Sequence, residues 1–103
     1  MTAQVVHDEA AGRFEARSGQ RVAGYAEYEV REGTMVISHV VVQPRFEGQG
    51  IGSAVTRAAL STAREQGWGV LPLCSFAAAY VRRNPDLVDL VPLENRALVG
   101  LQR

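Results

Sequence analysis

The stretch RFEGQGIGSAVTRAAL, residues 45–60, places three glycines at alternate positions between an apolar segment and a helical pattern. The segment before it, ISHVVVQP at residues 37–44, is rich in valine. Beyond Gly50, small and apolar residues recur at helical spacing, at Ile51, Val55, Ala58, Ala59 and Thr62. Gly67 stands where a glycine commonly ends a helix. The stretch therefore predicts a strand that passes through a glycine-rich turn into a helix.

The residues before this turn alternate with the period of a strand. QVVHD (4–8), RFEAR (13–17) and RVAGYAEYEV (21–30) predict three strands, and the turn REGT leads into a fourth, MVISHVVVQP (35–44). In the third strand the predicted inner face carries Val22, Gly24, Ala26, Tyr28 and Val30. Val40–Val42 is apolar on both strand faces, which favours a place inside the sheet.

The residues after the helix predict one more strand and one more helix. GVLPLC (69–74) predicts a fifth strand parallel to the fourth, because a helix separates the two. SFAAAYVRR (75–83) predicts a helix with Ser75 as its cap, interrupted by Asn84-Pro85. The expected fold is an α/β sandwich in one domain, residues 1–103, with four antiparallel strands, a helix, a parallel fifth strand and a C-terminal helix.

Composition limits the possible partners. Eleven arginines balance eleven acidic residues among 103 residues, and there is no lysine. This balance argues against binding to nucleic acid or to an anionic membrane surface. Neither a membrane span nor a signal peptide is predicted, so a cytoplasmic protein is expected. Cys74 as the single cysteine permits no internal disulfide and no cysteine-rich metal site, and we expect no metal.

The glycine-rich turn has the features of an anion site. A helix that begins after a strand presents unpaired backbone N–H groups and the positive end of its dipole to one point. Gly48, Gly50 and Gly52 remove side chains that would keep a phosphate away, and Arg45 offers a charge-assisted contact. The alternative is that these glycines only allow a tight turn and close packing.

Two familiar phosphate-binding motifs do not match. A P-loop requires a lysine, which the chain lacks. A dinucleotide fingerprint requires G-x-G-x-x-G at the first helix of a doubly wound sheet, whereas the spacing here is G-x-G-x-G after four antiparallel strands.

The hexapeptide Arg45-Phe46-Glu47-Gly48-Gln49-Gly50 resembles the R/Q-x-x-G-x-G/A pyrophosphate loop of the GNAT acyltransferases, which bind acetyl-coenzyme A. The resemblance extends to the valine-rich strand before the loop and to the helix after it, and covers roughly residues 20 to 91. GWGVLPLCSFAAAYVRRNPDLVDLV (67–91) is similar to the small branch of this superfamily, which has a cysteine at the exit of its fifth strand.

This resemblance implies an acetyl-CoA-dependent N-acetyltransferase that acts on an amine in a small molecule or a protein. It also implies residues that contact the coenzyme: Val40, Val41, Val42, Arg45, Glu47, Gly48, Gln49, Gly50, Ile51 and Gly52. The pair of helices that larger members place after the first strand has no counterpart here, so a shallow acceptor site, or one completed by a partner, is expected. The pattern predicts neither the acceptor nor the oligomeric state.

Three residues are candidates for catalysis, each with a structural alternative. Tyr80 stands at the family's usual position for the acid that protonates the leaving thiolate, or is a core aromatic. Cys74 either accepts the acetyl group or contacts the coenzyme, or packs as a small apolar side chain. His39 points into the cleft as a general base, or is a hydrogen-bonded structural histidine. Arg82 and Arg83 either meet the adenosine phosphate or an acidic partner, or only complement the helix dipole.

Two other functions stay open at this stage. The chain can be a coenzyme-binding or regulatory module without efficient transfer that interacts with a protein partner. It can also be a structural interaction domain whose glycines serve packing. Coenzyme binding and turnover separate the three hypotheses.

Overall fold

The five strands form one sheet in the order β1-β2-β3-β4-β5. The structure, a computed structural model, describes residues 3–101. The strands are β1 Gln4–Asp8, β2 Arg13–Ser18, β3 Arg21–Arg31, β4 Thr34–Val42 and β5 Gly69–Pro72. The first four are antiparallel, and β5 runs parallel to β4. The predicted fold class and order of elements are confirmed.

Three helices and three 3₁₀ segments complete the described chain. The helices are α1 Ile51–Gln66, α2 Ser75–Arg83 and α3 Leu93–Arg96, and the 3₁₀ segments are Pro44–Phe46, Pro85–Leu90 and Ala97–Val99. No helix among residues 3–101 has the length and apolar character needed to cross a membrane.

The β3–β4 hairpin explains the predicted turn at REGT. Glu32 and Gly33 both have positive φ, at 50° and 77°. Two such residues are typical of the type I′ turn, whose twist matches that of the flanking strands. The β1–β2 connection is also short, since only residues 9–12 lie between the two strands.

Two irregularities in the strand register change the predicted faces. The pairing shifts between Ala16 and Arg17 opposite β3, and again between Glu27 and Tyr28 opposite β4. Ala23, predicted to lie on the outer face, is fully buried, whereas Val30, predicted inside, is substantially exposed. The simple alternation fails at Ala23, because the first shift leaves Ala23 as an extra residue in β3. The second shift inserts Ser38 into β4, so Val30 keeps the face of Tyr28 and is exposed near the end of the strand.

Helix α1 packs on the sheet through the predicted stripe. Ile51, Val55 and Ala59 are buried, together with Leu60 and Ala63. The helix ends at Gly67, whose φ of 74° and N–H bond to the Ala63 carbonyl form the predicted glycine cap.

Helix α2 begins differently from the prediction. Its N-cap is Cys74, in extended conformation, and Ser75 is already the first helical residue. No side chain caps this end, so the prediction of a serine cap was wrong. The helix stops at Asn84, because Pro85 disfavours a helical conformation in the residue before it.

The two main helices cover one face of the sheet. Ile51 at the start of α1 lies against the backbone of Gly24 on β3. Gly52 of α1 lies directly beneath the ring of Phe76 on α2, and Arg57 of α1 bonds to Tyr80 of α2. Because α1 and α2 contact each other, they form one layer on this face of the sheet. The opposite face of the sheet carries mainly polar side chains.

Candidate active site

Strands β4 and β5 separate after a short ladder. Their pairing extends only from Thr34–Gly69 to Ile37–Pro72. At the end of the ladder the Ile37 carbonyl accepts two N–H groups, from Leu73 at 3.1 Å and from Cys74 at 3.2 Å. Beyond this point β4 continues to Val42 while the chain after β5 turns into α2. The second half of β4 therefore has a neighbour on its β3 side and an opening on the other.

The backbone of this second half presents hydrogen-bonding groups to the opening. Gln43 donates its N–H to the carbonyl of Ala23 on β3, at 2.8 Å. Successive N–H groups of an extended strand point to opposite sides. The N–H groups of Val40 and Val42 therefore point away from β3, towards the space that β5 has left. Such groups need a partner from solvent or a ligand.

The glycine-rich turn leaves the start of α1 open. Gly48 and Gly50 have φ values of 81° and 79°, a conformation that strongly favours glycine. No protein atom lies within 4 Å of a Cβ built on either residue. Gly50 is the N-cap of α1, and no side chain bonds to the first N–H groups of the helix. The free N–H groups and the helix dipole make this end suitable for an anion.

A cavity of about 420 Å³ joins the opening between the strands to the start of α1. Its volume falls in the usual range of ligand sites, roughly 300–1,000 Å³. It is lined by Val40, Val42, Phe46, Glu47, Gly48, Gly50, Ile51, Gly52, Ser53 and Phe76. The cavity therefore suits a long ligand with an anionic group at one end and a hydrogen-bonding stem at the other.

Most of the predicted coenzyme contacts line this cavity. Those that do are Val40, Val42, Glu47, Gly48, Gly50, Ile51 and Gly52, whereas Val41, Arg45 and Gln49 do not. Val41 is turned to the opposite face because side chains alternate along a strand. All ten coenzyme contacts stay predictions.

Sequence reasoning missed three lining residues: Phe46, Ser53 and Phe76. Gly52 carried a signal for one of them, because a glycine inside a helix often marks a close approach. A Cβ at Gly52 would lie 2.8 Å from Cζ of Phe76, so the ring occupies the space above the first turn of α1.

Arg45 lies in a second depression beside the main cavity. This depression has a volume of about 310 Å³ and is lined by Arg21, Val22, Gln43, Arg45 and Phe46. Phe46 borders both spaces.

Tyr80 is buried, and its hydroxyl accepts a hydrogen bond from Nε of Arg57 at 2.7 Å. Asn84 extends the link, since its side chain lies 3.4 Å from Nη2 of Arg57 and donates to the Tyr80 carbonyl at 2.7 Å. Tyr80 does not line the main cavity. The hydroxyl thus joins α1 to α2, and as an acceptor in this bond it keeps its own proton available.

Cys74 lies at the point where β4 and β5 part. It is partly buried, packs against the core, and forms the N-cap of α2. It does not line the main cavity. Among residues 3–101, no cluster of three or more His, Cys, Asp or Glu side chains is placed to hold a metal ion.

His39 lies on the polar face of the sheet. Its side chain is 66% exposed, and Nδ1 lies 3.1 Å from Oε1 of Glu27 on β3. Because a carboxylate only accepts, Nδ1 is the donor in this contact, and Nε2 is the ring nitrogen left for another partner. His39 is therefore hydrogen-bonded to Glu27 and does not line the main cavity, and its role in catalysis stays a prediction.

The same polar face holds a nearly buried carboxylate. Glu15 is 4% exposed and accepts bonds from Nη2 of Arg17 at 2.6 Å and from Nε of Arg13 at 2.7 Å. The bonds from Arg17 and Arg13 hold the pKa of Glu15 below its ordinary value of 4.5, against the opposing effect of burial. Arg13 also stacks over the ring of Tyr25, 4.3 Å from its centroid.

Comparison with protein families gives a match over residues 13–90 to the family described as GCN5-related N-acetyl-transferase. The chain belongs to this family. The matched region includes strands β4 and β5, the glycine-rich turn and helices α1 and α2. No curated protein matches the chain.

Solved structures agree with this GNAT assignment. A Staphylococcus aureus protein described as GCN5-like has the same fold, with a TM-score of 0.68 and 22% identity over 86% of this chain and 87% of that one. An IAA acetyltransferase from Bacillus cereus gives a TM-score of 0.54 and 27% identity over 69% and 51%. A GNAT-family protein from Desulfovibrio desulfuricans gives a TM-score of 0.52 and 26% identity, over 56% of this chain and 40% of that one. The chain thus spans about half of the Bacillus cereus protein and 40% of the Desulfovibrio desulfuricans protein.

Proposed function

We propose that this GNAT-family protein binds acetyl-coenzyme A and transfers its acetyl group to an amine. The observation that carries the proposal is the cavity that joins the opening between β4 and β5 to the uncapped start of α1. Coenzyme A has a pyrophosphate that matches the helix N-terminus and an amide-containing pantetheine stem that matches the free strand edge.

In this proposal the pyrophosphate lies against the backbone N–H groups that follow Gly48. Pantetheine then extends along this edge of β4 and pairs with the outward N–H and carbonyl groups of Val42, so that the thioester oxygen comes to the N–H of Val40. The thioester reaches the fork near Cys74, where the two strands separate. The apolar side chains of Phe46 and Phe76 line the same path.

The reaction begins when the amine nitrogen attacks the thioester carbonyl carbon. A backbone N–H of the free β4 edge, such as that of Val40, stabilises the resulting oxyanion, a contribution of about 3 to 4 kcal/mol in comparable sites. The C–S bond then breaks, and the coenzyme leaves as a thiolate that takes up a proton. The nitrogen loses its extra proton to a base, so the products are an amide and coenzyme A.

His39 and Tyr80 offer the two proton transfers. Nε2 of His39 would be the nitrogen that takes up the proton, because Glu27 engages the other ring nitrogen. His39 lies next to Val40 in the chain but faces the polar side of the sheet, so the acceptor amine would approach from that side through the fork. Tyr80 would supply a proton to the thiolate from the helix side.

Cys74 is the alternative participant in the chemistry. Its thiolate would attack the thioester, form an acetylated cysteine with release of coenzyme A, and then pass the acetyl group to the amine. Cys74→Ala should retain coenzyme affinity but slow transfer if this route operates. Equal turnover would assign the thiol to packing.

The experiment that tests the proposal is a calorimetric titration with acetyl-coenzyme A, with NAD as the control ligand. Saturable one-site binding to the coenzyme alone is expected. Release of coenzyme A thiol is then followed with a panel of amines, small and peptidic. The absence of binding heat with acetyl-coenzyme A would overturn the proposal.

A second candidate is a coenzyme-binding module without efficient transfer that acts through a protein partner. One observation favours it: neither Tyr80 nor His39 lines the cavity proposed for the coenzyme. Binding without turnover for any amine in the panel would support this candidate.

A further inference from the structure

The arginines differ in whether their guanidinium groups donate hydrogen bonds to other groups of the protein. Most of those in the described chain donate side-chain hydrogen bonds to carboxylates, to carbonyls or to a hydroxyl: Arg13, Arg17, Arg31, Arg57, Arg64, Arg82 and Arg96. Within residues 3–101, Arg21, Arg45 and Arg83 make no such bond. Two of these three, Arg21 and Arg45, share one depression.

This depression is lined by two arginines and by no acidic residue. The rest of its lining consists of an amide, a valine and a phenylalanine. Arg21 is the first residue of β3, and Arg45 lies in the 3₁₀ turn that leads into the glycine loop. Two elements distant in sequence thus bring two arginines to one concave surface. Guanidinium groups suit a phosphate, since their planar forks donate paired hydrogen bonds.

The depression adjoins the proposed coenzyme site. Phe46 borders both spaces, and Arg45 precedes Gly48 by three residues. In the proposed binding mode the pyrophosphate lies at the start of α1, and pantetheine extends from it back along β4. The adenosine is attached to the other side of the pyrophosphate and therefore lies away from pantetheine. Along β4, the chain leads past Val42 to Gln43 and Arg45, which are part of the second depression.

We propose that Arg21 and Arg45 bind the 3′-phosphate of the coenzyme, so that the protein selects coenzyme A over its 3′-dephospho form. This inference rests on the proposed coenzyme binding. It assigns Arg45 to the ribose phosphate instead of the pyrophosphate, and it gives Arg21 a role in ligand choice. It also replaces Arg82 and Arg83 as candidates for this phosphate. Arg82 donates to the Val99 carbonyl at 2.9 Å, and Arg83 does not line the depression.

The test is a set of calorimetric titrations with acetyl-coenzyme A and with acetyl-3′-dephospho-coenzyme A. The proteins are the wild type, Arg21→Ala, Arg45→Ala and Arg83→Ala. Arg83 is the matched control, since it is also without a side-chain hydrogen bond within residues 3–101 but lies outside the depression. Thermal unfolding of each variant checks that the fold is retained.

The wild type should bind the dephospho ligand about tenfold more weakly, since one lost charge-assisted contact typically has this effect. Arg21→Ala and Arg45→Ala should lose about the same factor for acetyl-coenzyme A and nothing for the dephospho ligand. Arg83→Ala should behave as the wild type with both. Raising the salt concentration should reduce the wild-type preference.

Other outcomes would overturn the inference. Equal wild-type affinity for the two ligands would remove the 3′-phosphate contact. If Arg45→Ala weakened both ligands equally, Arg45 would belong to the pyrophosphate after all. If neither ligand bound to the wild type, the proposed coenzyme binding itself would fail, and this result differs from a loss of selectivity.

Discussion

The two faces of the sheet contrast in how they are stabilised and in what they offer a ligand. On the helix side, side chains such as Met35 and Ile37 are fully buried against α1 and α2, and the ligand cavity opens along the same side. On the other side, polar and charged side chains bond to one another, as in the Glu15 cluster and the Glu27–His39 pair. One face thus depends on apolar packing, and the other on hydrogen-bonded charges.

This difference separates two parts of the proposed reaction. The helix side would hold the coenzyme mainly through backbone groups, which cannot be removed by most substitutions. The polar side would meet the acceptor through side chains, which vary freely without loss of the core. A fold of this kind can keep one coenzyme while its acceptor changes, and substitutions on the two faces should therefore have different effects.

Met35→Ala tests the apolar face and should have the largest effect on stability. Met35 is 0% exposed, and truncation of a buried methionine costs about 2–5 kcal/mol of unfolding free energy. Val36→Ala, one residue on and on the polar face, should cost about 1 kcal/mol because Val36 is only partly buried. Urea unfolding measures both. Equal losses would contradict the division between the faces.

Gly50→Val tests the loop at the edge of the helix side. Its side chain would enter the anion site, so affinity for acetyl-coenzyme A should fall at least about a hundredfold. Gly19→Val is the control, because Gly19 also has positive φ with open space around it but lies in the β2–β3 turn. Both variants should share the same backbone strain, about 1–2 kcal/mol. Unchanged affinity of Gly50→Val in titration calorimetry would remove the loop from the site.

Glu15→Gln tests the polar face through its pH dependence. The folded-state pKa of Glu15 is lowered by Arg17 and Arg13, so the carboxylate stabilises the fold above its unfolded value near 4.5. This contribution disappears as the pH falls through the lowered pKa. At pH 7 the variant should lose about 1–3 kcal/mol of unfolding free energy, and less in acid. Urea midpoints between pH 3 and pH 7 measure this, and parallel curves for the two proteins would contradict the role of the cluster.

Gly52→Ala should have the smallest effect. The new methyl group would displace the Phe76 ring, which lines the cavity, so affinity for acetyl-coenzyme A should fall by about three- to tenfold. Stability should change by about 1 kcal/mol or less, because alanine favours the helix. The double variant Gly52→Ala/Phe76→Leu relieves the contact and should recover affinity. No recovery would show that the ring does not transmit the effect.

The elements of the fold were predictable because their signals are local. Alternation, helical spacing and the glycines at 48, 50 and 67 each depend on a few neighbouring residues, and the structure places a strand, a turn or a helix end where they indicated. The α2 cap was less predictable. Serine is a common N-cap residue, but here the helix already begins at Ser75, and Cys74 takes the N-cap position.

The orientation of site residues was not predictable in the same way. The direction of His39 depends on a register shift beside Glu27, which no spacing in the sequence reports. The partner of the Tyr80 hydroxyl, Arg57, lies 23 residues away. The depression around Arg45 also needs Arg21 from another strand. Contacts of this kind arise from tertiary packing.

The parting of β4 from β5 at Ile37 has a consequence for amide hydrogen exchange. The N–H groups of Val40 and Val42 have no strand beside them, so they should exchange with solvent faster than those of Val41 and Gln43 in the β3 ladder. A coenzyme stem paired with these two amides would slow their exchange. Two valine amides can thus report occupancy of the cleft, residue by residue and before any acceptor is known.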